Sequence, residues 1–474
     1  MERWIWIIDT LPQQEAGQNM NDIHDIAIIG GGASATLLAW TLRARHHRSC
    51  VVIDPSDRPA LGLAYGTDSI DHLLNVPARG MSAIADEPDH FLRWLREKID
   101  PNISADSFMP RALYGLYLQT LFQQAAPTQV KARVISCLPD NTGAVLTLDD
   151  GRTLRARQIV LALGHFAPPV LPAIDAEVAG SKHYHHQVWA KETLHSIDPT
   201  DPVMLIGSGL TAIDMIMQLR STGHTGQITL VSRHGQLPQR HAPAPCASSP
   251  LIEPGASPPT CTAYLRQFKA ALKQGLPWRS GIDSLRTVTN RLWADLPQNE
   301  RARFRRHLQK RWDVARHRMA PQIAEALDSE LARGTVRLRA GHLGNITAAG
   351  SGVRATFRHR DQVDTINIAH VLNCTGPNLR YDRVASPLLQ DLFARGFARP
   401  GQGGAGLDTT KEGRLIGREG DSTAPIFTLG PARQGTLFES IAIPEIREQA
   451  YDLARTLDSV LTAPAQNRLM ECCA

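Results

Sequence analysis

Two glycine-rich turns carry the clearest chemical signal in this sequence of 474 residues. In the first, Gly30, Gly32 and Ala35 lie between an apolar run and a segment with apolar residues at helical spacing. In such a G-x-G-x-x-A pattern the first glycine permits a tight turn, the second lets the backbone approach a pyrophosphate, and the alanine lets the helix pack closely on the strand. Asp54 ends the next apolar run, where a carboxylate can bind both ribose hydroxyls. This context predicts a dinucleotide-binding βαβ unit.

The second turn repeats the pattern with Gly207, Gly209 and Ala212. The apolar run that follows it ends near Arg233 rather than at an acidic residue. A guanidinium group at this place can face the 2′-phosphate of NADPH, but it can equally stack on the adenine of NADH. The turn therefore predicts a nicotinamide coenzyme and leaves the choice between NADH and NADPH open.

The two units are too far apart in the chain to be halves of one mononucleotide fold, so we predict two separate domains. Each unit is followed by a closing apolar strand that ends in glycine, and residues 426–457 are expected to return to the first domain. A segment that begins Pro-rich and then turns helical is expected to cap the site. The predicted fold is α/β, with two Rossmann-like dinucleotide-binding domains and a helical insertion. The expected boundaries are an N-terminal extension at 1–21, an FAD-binding domain at 22–170 and 378–460, an NAD(P)-binding domain at 200–377 with the insertion at about 240–333, and a tail at 461–474.

Composition excludes several classes of protein. Apolar residues make up 42% of the chain, which argues against disorder, and no run of eighteen apolar residues exists, which argues against a membrane-spanning helix. The net charge of +5 is too small to indicate nucleic-acid binding by itself. Seven cysteines without a C-x-x-C spacing predict neither a disulfide framework nor a metal site. We expect a cytoplasmic protein without a nucleic-acid or membrane partner.

Two dinucleotide sites in one chain indicate a hydride relay, in which a tightly held flavin is the simplest acceptor. Over residues 22–460 the chain resembles the two-domain flavoproteins related to flavin-containing and N-hydroxylating monooxygenases. Within them it is most similar to the bacterial family that includes a FAD-dependent urate hydroxylase, the nearer match, and a nitrosuccinate-forming aspartate N-monooxygenase. Besides the two turns, the passages that carry this resemblance are GLAYGTDSIDHLLNVPARGMSAIADEPDHFLRWL (62–95), FMPRALYGLYL (108–118), SRHGQLPQRH (232–241), RWDVARHRMAP (311–321) and LGPARQGTLFESIAIPEIR (429–447).

The resemblance implies FAD in the first domain, with Gly164 and Gly430 among its contacts, and NADH or NADPH in the second. It makes Asn75 similar to an asparagine beside the reactive edge of the flavin, although a turn-capping role before Val76-Pro77 is equally open. It implies O₂ as co-substrate and urate, hydroxylated to 5-hydroxyisourate through a C4a-hydroperoxyflavin, as the main substrate. An amino-acid N-hydroxylase is the alternative enzyme, and a flavin-bound sensor or assembly protein without turnover is the alternative of another class.

Residues 301–318 form a basic segment with seven arginines, one lysine and a single acid, Asp313. Read as one helix, it has Phe304, Leu308 and Trp312 on a buried stripe, so most of its arginines are expected on solvated faces. The segment lacks the stacking aromatics and the binding fold of a nucleic-acid site. Because the expected substrate is an anion, the predicted substrate ligands near the cleft are His241, Arg316, His317 and Arg318. The adjacent Cys472 and Cys473 resemble the tail of a disulfide or mercuric reductase, but no inner cysteine pair accompanies them.

Overall fold

The fold comes from a computed structural model that describes residues 23–190, 193–243, 245, 249–360 and 362–463. The predicted N-terminal extension, Cys246 and the pair Cys472–Cys473 lie outside these ranges. The strands are β1 (Ile23–Ile29), β2 (Val51–Ile53), β3 (Thr128–Val130), β4 (Val134–Asp140), β5 (Gly143–Leu148), β6 (Thr153–Leu161), β7 (Tyr184–His185), β8 (Val203–Ile206), β9 (Ile228–Ser232), β10 (Val336–Ala340), β11 (His342–Ala349), β12 (Gly352–His359), β13 (Gln362–Ile368), β14 (His370–Asn373) and β15 (Ile426–Thr428).

Fourteen α-helices lie in the same ranges. They are α1 (Ala33–His46), α2 (Gly62–Tyr65), α3 (His90–Lys98), α4 (Arg111–Ala125), α5 (Ala176–Ala179), α6 (Leu210–Ser221), α7 (Cys261–Lys273), α8 (Trp278–Ser284), α9 (Thr289–Asp295), α10 (Gln298–His307), α11 (Gln309–Arg316), α12 (Pro321–Ala332), α13 (Pro387–Arg395) and α14 (Ile443–Thr462). None of these described helices combines the length and the apolar composition that crossing a membrane requires.

The first sheet has the strand order β3-β2-β1-β6-β5-β4, and β15 pairs with β6. Strands β1, β2, β3, β6 and β15 run parallel, while β4 and β5 form an antiparallel extension. On one face α1 packs against α4 and α14. Helix α14 buries Ile446, Ala450, Leu453 and Leu457, whose three- and four-residue spacing forms one apolar stripe toward α1. The last of the described helices therefore covers the first of them.

The second sheet is parallel, with the order β10-β9-β8-β14-β7. Its first crossover helix, α6, is buried along Ala212, Ile213, Ile216 and Leu219, and α12 shares its apolar core. The opposite face is covered by the antiparallel sheet β11-β12-β13. The predicted α/β fold with two Rossmann-like sheets and a helical region is thus confirmed, and the three-stranded sheet is an element that the sequence analysis did not foresee.

Helices α7 to α12 lie between β9 and β10 of the second domain. The basic segment was predicted to be one helix, but it forms two. The backbone of Leu308 (φ −117°, ψ −28°) ends α10 and begins α11. Phe304, Leu308 and Trp312 still point the same way, into a space between these helices. The residues of this segment that were expected to bind substrate lie at and after the end of the second helix, α11.

Candidate active site between the two dinucleotide turns

The two glycine-rich turns have the same backbone geometry. Gly30 has φ +103° and Gly207 has φ +120°, both in the region that favours glycine. A Cβ atom on Gly30 would lie 2.4 Å from the carbonyl oxygen of Ala162, and one on Gly207 would lie 2.4 Å from that of Cys374. Each turn is therefore pressed against the residue that follows its closing strand, so the first glycine of each motif is required by the fold itself.

The second glycine of each motif faces open space instead. A Cβ on Gly209 would meet no atom within 4 Å, and one on Gly32 would meet only Gly62, with its Cα at 3.5 Å. Helices α1 and α6 begin directly after these glycines without a side-chain cap, so backbone N–H groups of their first turns remain available. Ala35 and Ala212 are fully buried where each helix meets its sheet. This arrangement fits a pyrophosphate at each helix N-terminus.

Asp54 supports the first turn. Its carboxylate accepts hydrogen bonds from the backbone N–H groups of Gly31 (2.7 Å) and Ser56 (2.8 Å). A carboxylate has further acceptor positions, so it can also receive ribose hydroxyl groups. Two buried polar atoms that line the neighbouring cleft, His165 Nε2 and Gln434 Oε1, have no hydrogen-bond partner among the described residues. Such orphaned groups fit a cofactor with a polar ring edge, so the residues present match FAD.

The other two glycines that were expected to contact FAD lie near this turn. Gly164 (φ +65°) has open space at its Cβ position, and its carbonyl accepts a hydrogen bond from Tyr381 Oη at 2.9 Å. Gly430 (φ +73°) lies so close to the first turn of α1 that a Cβ would be 2.5 Å from Ser34 Oγ. Their contact with FAD stays a prediction, which these positions support.

One cavity of about 730 Å³ connects the two domains. It reaches from the second glycine turn and Arg233 to Asn75 and Met81 of the first domain. Its lining thus brings together the predicted nicotinamide-binding residues and the predicted catalytic asparagine. A coenzyme held by the second turn lies in the same space as any group beside Asn75.

His241 contacts Asn75 through the backbone. The Nε2–H of His241 donates to the carbonyl oxygen of Asn75 at 2.9 Å, and its ring lies 4.9 Å from that of Phe108. Burial lowers the pKa of His241 to about 4, so the imidazole is neutral at pH 7. His241 does not line the cavity, so the structure gives this predicted substrate ligand a positioning contact with Asn75 instead.

The structure provides carboxylate partners for both arginines that were expected to bind substrate. Arg316 is 9% exposed and pairs with Glu439 and Glu445. Arg318 is buried, pairs with Asp283 and lies over the ring of Trp278. Neither arginine lines the cavity, whereas His317 does. Substrate binding by these three residues stays a prediction, and the ion pairs argue against it for the two arginines.

Asp313 and Lys310 also line the cavity, although neither was predicted from the sequence to bind substrate or cofactor. Among the described residues no donor forms a hydrogen bond with the Asp313 carboxylate, and burial raises its pKa to about 6 although Lys310 opposes the shift. Burial also lowers the pKa of Lys310, and Arg233 adds to this decrease. The sequence feature that could have singled out Asp313 is its position as the one acid in the basic segment. The cavity therefore presents a carboxylate as well as cations.

An ion pair joins the two domains at the wall of this cavity. Arg111, at the start of α4, lies 2.8 Å from the carboxylate of Asp214 on α6. Burial raises the pKa of Asp214 to about 6, against the effect of Arg111. His72 contacts the Asp214 carbonyl oxygen through Nε2 at 3.3 Å. No group of three or more side chains in the described ranges is arranged to hold a metal ion.

Comparison with known proteins adds to this geometry. A family model described as FAD-NAD(P)-binding matches residues 27–166, and one described as L-lysine 6-monooxygenase/L-ornithine 5-monooxygenase matches residues 102–281. Over residues 102–281 the chain is similar to the lysine and ornithine monooxygenases. Its cofactors are FAD and NAD(P)H, as the matched model and the two turns indicate.

One curated relative that this chain resembles is the nitrosuccinate-forming L-aspartate N-monooxygenase of Streptomyces cremeus. It is 34% identical over 139 residues, which are 26% of this chain and 21% of that enzyme. The matched segments cover 21% and 17% of the lengths of two curated relatives, so this chain spans about a fifth of each.

Two solved structures share the fold of this chain. The reduced form of ornithine hydroxylase from Pseudomonas aeruginosa has a TM-score of 0.65 at 15% identity and covers 93% of this chain and 100% of its own. The Kutzneria ornithine N-hydroxylase, described with reduced FAD, NADP⁺ and L-ornithine, has a TM-score of 0.64 at 12% identity, with coverage of 93% and 100%. The sequence resemblance to monooxygenases is confirmed at this level, and a urate hydroxylase is not shown.

Proposed function

We propose that this chain is a FAD-dependent monooxygenase that uses NAD(P)H and O₂ to hydroxylate the nitrogen of an amine substrate. The observation that carries the proposal is the single cavity that extends from the second dinucleotide turn to Asn75. It gives coenzyme, flavin and substrate one common space, as transfer of a hydride and then of an oxygen atom requires. FAD supplies the redox chemistry when it is bound.

The residues of the chain orient these partners. The N–H groups at the start of α6 and the open position beside Gly209 hold the coenzyme pyrophosphate. Asn75 offers an amide to the reacting oxygen, and His241 holds the Asn75 backbone in place. The apolar side chains in the lining, among them Met81 and Ile206, exclude water from the reaction.

Asp313 is the reason to favour an amine over urate. Its carboxylate faces the cavity without a hydrogen-bond donor from the described residues, so it can attract a cationic amine and accept the proton that the nitrogen must lose before it is hydroxylated. Urate is an anion, and the arginines that would bind it, Arg316 and Arg318, are engaged by Glu439 and Asp283. Urate hydroxylation is supported by the resemblance of the sequence passages but not by these contacts.

The test is a substrate panel with purified, flavin-loaded protein. NADPH oxidation, O₂ uptake and peroxide release are measured together with 2-phenylethylamine, L-ornithine, L-lysine, L-aspartate and urate, and products are identified by mass spectrometry. A hydroxylated amine with little peroxide is the expected result. Consumption of urate alone would contradict the proposal, and the same peroxide yield with every compound would favour the sensor without turnover.

A further inference from the structure

The helical insertion lines a second cavity, which has no role in the reaction proposed above. Its volume is about 360 Å³, and its lining is almost entirely apolar, with Leu265, Phe268, Ile282 and Leu292 among the lining side chains. The charged residue in the lining is Arg311, which is exposed. We refer to this cavity as the apolar chamber. A site of this composition binds apolar groups, because burial of apolar surface is what it offers a ligand.

The apolar chamber adjoins the cofactor cavity. Trp312 and Phe438 line both cavities, and their ring centroids are 5.9 Å apart. Phe438 also stacks on Trp293 at 4.7 Å and meets Phe304 edge-on at 5.3 Å. The wall between the two spaces is therefore an aromatic cluster, a surface on which flat or hydrocarbon groups pack well.

Helix α11 separates the two spaces with opposite faces. Arg311, Trp312 and Ala315, which share one face by helical spacing, line the apolar chamber. Lys310 and Asp313 line the cofactor cavity. One short helix thus presents an apolar surface on one side and an ionised carboxylate on the other.

Trp293 supplies an independent observation. It is 3% exposed and lines the apolar chamber, yet its indole N–H has no acceptor among the described residues. Buried indole N–H groups usually find a partner, so an unpaired one marks a place where the π face of a bound aromatic ring can receive it.

We propose that the apolar chamber binds the hydrophobic part of the substrate. The substrate is then an amine with an aromatic or branched hydrocarbon group, whose nitrogen lies toward Asp313. Its hydrocarbon group reaches the apolar chamber when the Phe438 side chain rotates away from Trp312. The volume of about 360 Å³ is roughly twice the ~150 Å³ of an apolar cavity that accommodates benzene, so one or two rings fit. This inference rests on the proposed function for its assignment to a substrate.

A fluorescent binding experiment tests the chamber without requiring turnover. Prodan, a neutral apolar probe with one two-ring naphthalene system, is titrated into the flavin-loaded protein and into three variants. Ala315→Leu on α11 and Leu265→Trp on α7 fill the chamber from different helices, and Ala270→Leu changes an exposed position of α7. We expect binding to weaken about tenfold or more in both filled variants and to stay unchanged in the control, because one buried side chain removes space for several carbon atoms.

Each outcome of this experiment decides something. Unchanged probe binding in a filled variant that keeps its FAD would overturn the chamber as the binding site, and having two filled variants guards against one that fails to fold. In the wild type, 2-phenylethylamine should displace the probe at lower concentration than L-ornithine, and no displacement by the hydrophobic amine would overturn the link to the substrate. Displacement without any hydroxylated amine product would overturn the proposed function and leave the binding of apolar amines in place.

Discussion

The guanidinium group of Arg316 forms two hydrogen bonds with the carboxylate of Glu439, at 3.1 and 2.9 Å. Glu439 also accepts a hydrogen bond from the indole N–H of Trp312, at 3.2 Å. Although burial opposes it, the neighbouring Glu439 and Glu445 hold the pKa of Arg316 above its ordinary value. A residue that the sequence suggested as a substrate ligand is therefore part of the structure that positions the aromatic wall.

Removal of Arg316 should therefore reduce the stability of the protein rather than its affinity for substrate. Arg316→Ala leaves Glu439 buried and unpaired, and we expect a loss of about 3–5 kcal/mol in the free energy of unfolding. Arg306→Ala, at an exposed position of the same basic segment, should change it by less than about 0.5 kcal/mol. Denaturant unfolding measures both values. Wild-type stability combined with a higher substrate KM would return Arg316 to the substrate-binding residues.

The two glycines of the first turn should respond differently to a side chain. Gly32→Val places its side chain in the open cradle, so the protein should fold and lose its yellow FAD. Gly30→Ala creates a contact with the Ala162 carbonyl at a positive φ, so it should lower the yield of folded protein instead. Absorbance near 450 nm per folded chain separates the two effects. Full flavin occupancy in Gly32→Val would contradict the assignment of this turn.

Coenzyme preference should depend on Arg233 and Lys310, which both line the cavity beside the second turn. If they bind a 2′-phosphate, Arg233→Ala should raise the KM for NADPH roughly ten- to a hundredfold more than the KM for NADH, with a smaller effect of Lys310→Ala in the same direction. Stopped-flow reduction of the flavin measures this, and Gly209→Val should abolish reduction by either coenzyme but not by dithionite. Equal losses for NADH and NADPH would show that Arg233 stacks on adenine.

Asp313 should make stability depend on pH in a defined direction. Its pKa is about 6 in the folded protein against an ordinary value of 3.8. Below pH 3.8 the Asp313 carboxyl group is protonated in both the folded and the unfolded protein, so it does not affect stability. As pH rises from there toward 6 the free energy of unfolding falls, and it stays reduced above pH 6. Asp313→Asn should therefore raise the free energy of unfolding by about 1–3 kcal/mol at pH 8 and by little at pH 4. Exposed Asp295→Asn is the control, and a gain that is equal at both pH values would contradict this account.

The interdomain pair of Arg111 and Asp214 offers a double-mutant test. Arg111→Ala should cost about 3–5 kcal/mol because it leaves the buried Asp214 carboxylate without its partner. Combining it with Asp214→Leu should recover part of that loss, because no uncompensated charge then remains. Thermal unfolding followed by circular dichroism measures the coupling. Additive losses in the double variant would show that the pair does not act as a unit.

The parts of the fold that could be predicted from the sequence are those where the local backbone conformation restricts the residue type. Gly30 and Gly207 stand where the backbone needs a positive φ, and the apolar runs around them have the lengths of buried strands. The sheet β11-β12-β13 was missed although residues such as Val353, Ala355 and Phe357 alternate inward, because short alternating strands in a long connection give a weak signal.

The site itself was less predictable than the turns. Arg316 and Arg318 were expected in the cleft because the expected substrate is an anion. The sequence could not show their partners, Glu439 and Asp283, because only the tertiary fold brings them together. The stripe of Phe304, Leu308 and Trp312 was recognised as apolar, but the sequence could not show that it faces a cavity shared with the other insertion helices. The break at Leu308 has no proline or glycine to mark it.

The pairing of β15 with β6 has a consequence for how the protein is made. Every strand of the second sheet lies between Tyr184 and Asn373, whereas the first sheet receives its last strand at Ile426–Thr428, and α14 covers α1 only after that. Because domains fold as their residues leave the ribosome, the second domain has all of its strands available while the first still lacks one. The first domain therefore stays incomplete, with the side of α1 that α14 covers still exposed, until residues 426–462 have been synthesised.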